Sequence, residues 1–160
     1  MSMLKGLSKW KVLNSKEVKG ISSMVRQQWG CGFSSVIGDA AFLEGKDGDI
    51  FLISRDVERL DLEHLHAESL GLYFGQLRNG ELRLSIEGSQ LVGKAAAKNV
   101  ISIEDNEFRL WLAGNDLERD YGGCSGYVLV KHGSDFIGCG KCKDGKVLNF
   151  VPKARRVANL

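Results

Sequence analysis

The chain is short of the features that announce most chemistries. Proline occurs once, at Pro152, and aromatic residues make up only 8% of the 160 positions. No stretch of about 18 apolar residues exists, so the sequence offers no candidate for a membrane-crossing helix. The opening residues, MSMLKGLSKWKVLN, are basic without an apolar centre, which predicts no secretory signal and a cytoplasmic location. Neither Gly71-Leu-Tyr-Phe-Gly75 nor Gly138-Cys-Gly140-Lys141 has the spacing of a phosphate-binding P-loop. No GxGxxG lies between a strand and a helix, and no serine sits on a nucleophile elbow with His and Asp partners. Nucleotide-dependent, methyl-donor and serine-hydrolase chemistries therefore lack their usual parts, and neither a catalytic residue nor a cofactor is expected.

Metal-binding residue types are sparse too. Of the three histidines, His64 and His66 stand near Glu63 and Glu68. Two positions apart on a helix point about 200° apart, so the pair does not share a site and reads as a surface helix. The four cysteines, in a chain without a secretion signal, are expected as reduced thiols. Cys139-Gly-Lys-Cys142 is formally a CxxC, but Cys31 and Cys124 stand alone without paired spacing. The flanks of the CxxC alternate like a strand, which sends residues 139 and 142 to opposite faces. Buried small side chains are the expected role, and no metal is expected.

What the chain does have is 43% apolar residues, enough for a core, and 20 glycines, which predict many tight turns. The formal net charge of +2 conceals segregation. Residues 1–29 carry six Lys/Arg against Glu17 alone, and residues 141–160 carry six against Asp144 alone. The middle is acidic, with 18 acids against 10 bases. Basic ends around an acidic middle orient a polyanion even when the total is near neutral.

Residues 14–29 read as a helix: Asn14 and Glu17 form a capping-box pattern, and Val18, Ile21, Met24 or Val25, and Gln28 or Trp29 recur at helical spacing. Lys46–Asp49 reads as a turn, Ile50–Ser54 as a strand and Val57–His66 as a short helix. Leu72–Leu77 and Leu82–Ile86 form a hairpin around Asn79-Gly80, the dipeptide that suits a type I′ turn. A short helix over Ser89–Ala97 follows. Beyond Lys98 the pattern is short strands and turns, at Val100–Ile103, Phe108–Leu112 and Tyr127–Lys131, with one or two helical turns over Ala113–Arg119. Evenly spaced short strands with Gly-rich turns predict a small barrel. The fold class expected is α+β: a small N-terminal α/β domain over residues 1–90, packed on a mixed β-barrel over residues 91–160. The aromatics Trp10, Trp29, Trp111, Tyr73, Tyr121 and Tyr127 are candidates for stacking. Trp29 and Trp111 sit in apolar periodic segments and are assigned to packing. Tyr121, in the Gly-rich turn DYGGCSG, is the preferred stacking candidate.

The segment FIGCGKCKDGKVLNFVPKARR, residues 136–156, concentrates the functional signal. Asp144-Gly145 between apolar runs predicts a hairpin. Around it lie Lys141, Lys143, Lys146, Lys153, Arg155 and Arg156. Lysine supplies point charges to phosphates, and arginine a planar fork that also stacks on bases.

FRLWLAGNDLE, residues 108–118, and GYVLVKHGSDFIGCGKCKDGKVLNFVPKARRV, residues 126–157, resemble a PUA domain, an RNA-binding module. The tail pattern Gly-x-Val-x-Asn-x-x-Pro-Lys-x-x-Arg is similar to the C-terminal PUA domain of RNA 5-methylcytosine methyltransferases. With GLYFGQLRNGELRLSIEGSQLV, residues 71–92, the chain also resembles the two-domain ribosome-biogenesis factors of the Nip-seven type, from which it departs in having only Glu118–Ser125 before the next strand. The resemblance implies a non-catalytic RNA-binding protein acting on structured RNA, ribosomal or transfer, in ribosome biogenesis or RNA modification. The partners it implies are that RNA, a modification enzyme or ribosome assembly factors. Carried over by position, it implies an RNA-binding set of Lys141, Lys143, Lys146, Lys153, Arg155 and Arg156, with Asn149 as a hydrogen-bonding member. The competing expectation is a protein–protein adaptor whose basic hairpin docks an acidic partner.

Overall fold

The computed structural model describes residues 10–33, 38, 40–54 and 71–157. The helix expected over 57–66, with His64 and His66, lies outside the described residues.

After a two-residue strand β1 (Lys11–Val12), helix α1 runs over Ser15–Trp29. Its start follows from the capping box: Asn14 Oδ1 accepts from the Glu17 N–H at 2.9 Å, and Glu17 Oε1 accepts from the Asn14 N–H at 3.2 Å. Ile21, Val25 and Trp29, four residues apart, form its buried stripe. Gly30, at φ 74, ends it.

The first sheet is antiparallel, in the order β1-β2-β3-β4-β5, with β2 at Ala40–Glu44, β3 at Asp49–Ser54, β4 at Leu72–Arg78 and β5 at Glu81–Leu84. One face packs on α1 through Phe42, Ile50, Leu52, Phe74, Leu82 and Leu84. The edge strand β5 is not left open. The Gln28 side-chain amide donates to the Leu82 carbonyl and accepts from the Leu82 N–H, both at 2.8 Å. Ser85 then caps helix α2, Ile86–Gly93, by accepting from the Gly88 N–H at 2.9 Å. That cap starts the helix three residues before the expected Ser89.

The second sheet has the order β6-β7-β8-β9: β6 at Val100–Ser102, β7 at Gly126–His132, β8 at Asp135–Lys143 and β9 at Lys146–Asn149. β6 and β7 are parallel and the other pairs antiparallel, so the sheet is mixed. In place of a closed barrel it is an open sheet, extended past β9 by a bridge between Leu117 and Val147. The strand expected at 108–112 is instead helix α3, Asp105–Leu112. Phe108, Trp111 and Leu112 fall at helical spacing, and the Glu107 carboxylate accepts the Glu104 N–H at 3.2 Å. Local capping here outweighs the β-propensity of an aromatic-rich run. The helical turns expected over 113–119 are absent; this stretch runs alongside β9.

Trp111, fully buried, centres one core with Ile101, Ile103, Leu117, Val128, Val130, Val147 and Val151. The opposite face of the second sheet gives Tyr127, Leu129 and Cys139 to the core that holds Trp29, Phe74, Leu82 and Val92. The two sheets therefore share apolar contacts. Asn99 fastens the junction: its side chain donates to the Gln28 carbonyl at 2.7 Å, and its own carbonyl accepts from the Leu129 N–H at 2.8 Å.

Candidate nucleic-acid interface

The last hairpin forms as its sequence predicts. Asp144 and Gly145 take φ values of 53 and 75, and Lys143 pairs with Lys146 across the turn. Val147 and Cys142 turn toward the Trp111 core, which leaves Lys141, Lys143 and Lys146 on the other face.

Lys143 and Lys146 line a hollow of about 200 Å³ together with Arg119, Tyr121, Cys124, Ser125 and the acids Asp120 and Asp144. The loop preceding β7 builds its far wall, so residues 25 or so apart in sequence meet there. Lys143 is exposed and has no ion-pair partner among the described residues. Lys146 lies 3.7 Å from Asp116 with both side chains about a third exposed, an arrangement worth about 0–1 kcal/mol and readily exchanged for a phosphate. Lys141 places its ammonium 5.1 Å from the centre of the Tyr127 ring.

Tyr121 is held rather than free. Its hydroxyl donates to Glu107 Oε2, and the Arg119 guanidinium lies 4.5 Å over its ring. Arg119 also donates to Glu107 Oε1 at 3.1 Å. Burial first, and then the bond to Glu107, push the Tyr121 phenol well above its ordinary value, so it stays a neutral donor. One Tyr121 face is thus covered by Arg119, and a base stacking here meets the guanidinium plane. Sequence reasoning missed Arg119, though it stands two residues from the favoured aromatic.

Three expected members have other work in the structure, and this corrects the picture of a single six-cation surface. Asn149 donates to the carbonyls of Trp111 and Asn115 at 2.8 and 2.9 Å, and its Oδ1 accepts from the Val151 N–H at 2.7 Å. Its amide is fully engaged in tying α3 and the loop after it to the end of β9. Arg155 pairs with Glu87, in the first turn of α2. Arg156 donates from Nε to the Val151 carbonyl at 3.0 Å and lies over Gly114. Lys153 is exposed, and its ammonium has no ion-pair partner among the described residues.

The CxxC splits as strand alternation requires. Cys139 is buried in the core shared by the two sheets, while Cys142 and Cys124 pack toward Trp111. His132 is engaged structurally: its ring stacks on Phe108 at 4.0 Å, and Nε2 lies 2.8 Å from Asp105 Oδ1.

A mixed four-stranded sheet over a Trp-centred core, ending in a lysine-bearing hairpin, occupies the stretch that comparison assigns to a PUA domain. Residues 98–157 match the family model described as the methyltransferase RsmF PUA domain. Similar to the chain are two curated proteins, both named ribosomal RNA small subunit methyltransferase F, from two strains of Vibrio cholerae serotype O1. Each is 22% identical over 108 residues, covering 68% of this chain and 23% of the relative. The chain thus spans less than a quarter of the length of these relatives. Of the two resemblances read from the sequence, the matched model falls on the methyltransferase one.

Proposed function

We propose that the chain is an RNA-binding protein of ribosomal RNA modification that holds structured RNA without a catalytic step of its own. The observation that carries this is the coincidence of two independent features. The segment matched to a PUA domain is the one that brings Lys143, Lys146 and Arg119 around a single hollow. Two lysines at the end of a stiff hairpin, faced by Arg119 from the loop before β7, suit a sugar-phosphate chain, with Lys153 extending the positive surface along the exit strand. The relatives are named for a ribosomal RNA, which makes ribosomal rather than transfer RNA the first ligand to test. Recognition is by shape and phosphate geometry, because side chains do not reach into the narrow major groove of A-form RNA. Methyl transfer, where it accompanies this module, is assigned to other parts of a longer chain or to a partner enzyme, and the site of action to the cytoplasm.

Filter binding to a structured fragment of small-subunit ribosomal RNA at two salt concentrations tests the reading. Wild-type affinity falls steeply as salt rises. In a Lys143→Ala/Lys146→Ala/Lys153→Ala variant, the slope of log affinity against log salt becomes shallower by about 2 to 3, at 0.7–0.9 per lost phosphate contact. An unchanged slope removes the assigned surface. Recovery of a protein partner from nuclease-treated lysate, with no RNA affinity, instead establishes the adaptor.

A further inference from the structure

We propose that the groove between the two sheets receives one unstacked nucleotide of the bound RNA, its base against Arg83. This rests on the RNA-binding reading above and adds to it a second, separate contact.

The groove has a volume of about 440 Å³, within the range of small-molecule sites. Leu84 and Ile86 supply apolar wall, Phe150 an aromatic one, and Gly138 part of the β8 side. Arg83 is its central cation. Its guanidinium lies 4.5 Å over the Phe150 ring, and Nη2 donates to Gln76 Oε1 at 2.9 Å. A guanidinium fixed in plane by a ring and an amide is prepared for stacking on a base. Gln76 is neutral, and no carboxylate pairs with Arg83 among the described residues. Arg155 and Glu87, the other charged residues of the lining, offset one another. The groove is therefore left with one uncompensated positive charge, complementary to a nucleotide.

The groove wall continues through Phe150 and Pro152 to the exposed Lys153, which gives the strand an exit along the basic tail.

Amide chemical-shift mapping of the full chain tests this with two probes: each ribonucleoside 5′-monophosphate, and a structured ribosomal RNA fragment carrying a single-stranded loop. The expected result is that the loop-bearing RNA, and at least one monophosphate, shift the amides of Arg83, Gly138 and Phe150. Arg83→Met then weakens that binding about tenfold, as loss of one stacking contact does. Arg83→Lys, which keeps the charge but loses the planar fork, weakens it to a similar degree. If the RNA shifts Lys143 and Lys146 while the groove amides stay still with both probes, the groove is overturned and RNA binding stands. If the RNA shifts nothing, both fall together.

Discussion

Replacing Asn149 by alanine separates a structural role from a ligand role. The side chain makes three hydrogen bonds, to two carbonyls and one N–H on three different segments. A typical intramolecular bond contributes about 0.5–1.5 kcal/mol, and a buried group left without its partner costs about 1–3 kcal/mol. Asn149 is half-buried, so water satisfies part of what the substitution exposes. The net loss is then about 2–3 kcal/mol. Urea unfolding followed by circular dichroism reads it: with a slope of about 1–3 kcal/mol per molar, the midpoint drops by roughly 1–2 M. At low temperature, where the variant is still folded, its RNA affinity stays within about twofold of wild type. A midpoint lowered by less than a few tenths molar, with affinity lost, refutes the assignment and returns Asn149 to the RNA surface.

Gly93→Ala places a methyl carbon 2.4 Å from Phe136 ring atoms, at the contact between α2 and β8. Overpacking of this kind costs about 1–3 kcal/mol and outweighs the roughly 1 kcal/mol that alanine gains over glycine in a helix, so the urea midpoint falls. A raised midpoint contradicts the junction as described. Stability also declines at alkaline pH. Burial pushes the Cys139 thiol up from 9.0 to about 12. It stays neutral when folded but ionises sooner when unfolded. Its stabilisation is complete below about pH 9 and is lost as pH rises toward 12. Urea midpoints at about pH 8 and about pH 10.5 measure it, and a flat profile contradicts the burial of this thiol.

Much of the frame was legible because its signals are local. Asn14 and Glu17 placed the start of α1, and Asn79-Gly80 and Asp144-Gly145 placed both hairpin turns within a residue or two. The failure at 108–112 is also local: alternating Phe, Leu and Leu suggests a strand, while the capping carboxylate of Glu107 and the spacing of Phe108 and Trp111 decide for a helix. The site was harder to read for a different reason. Sequence shows where cations are but not which acids reach them. Glu87 lies 68 positions from Arg155, and nothing near Arg155 foretells the pair. Nor does anything near Arg83 foretell its contact with Phe150, which comes from the far end of the chain. Lys143, Lys146 and Tyr121 do come together, because a turn residue and a neighbouring loop face the same hollow.

Crosslinking of a structured ribosomal RNA fragment to the intact protein, with the attached peptides read by mass spectrometry, addresses the central claim most directly. Crosslinks are predicted on the loop containing Arg119 and Tyr121, on the Lys141–Lys146 turn, and at Lys153. Crosslinks confined to α1, through Lys16 and Lys19, or absent altogether, would contradict it.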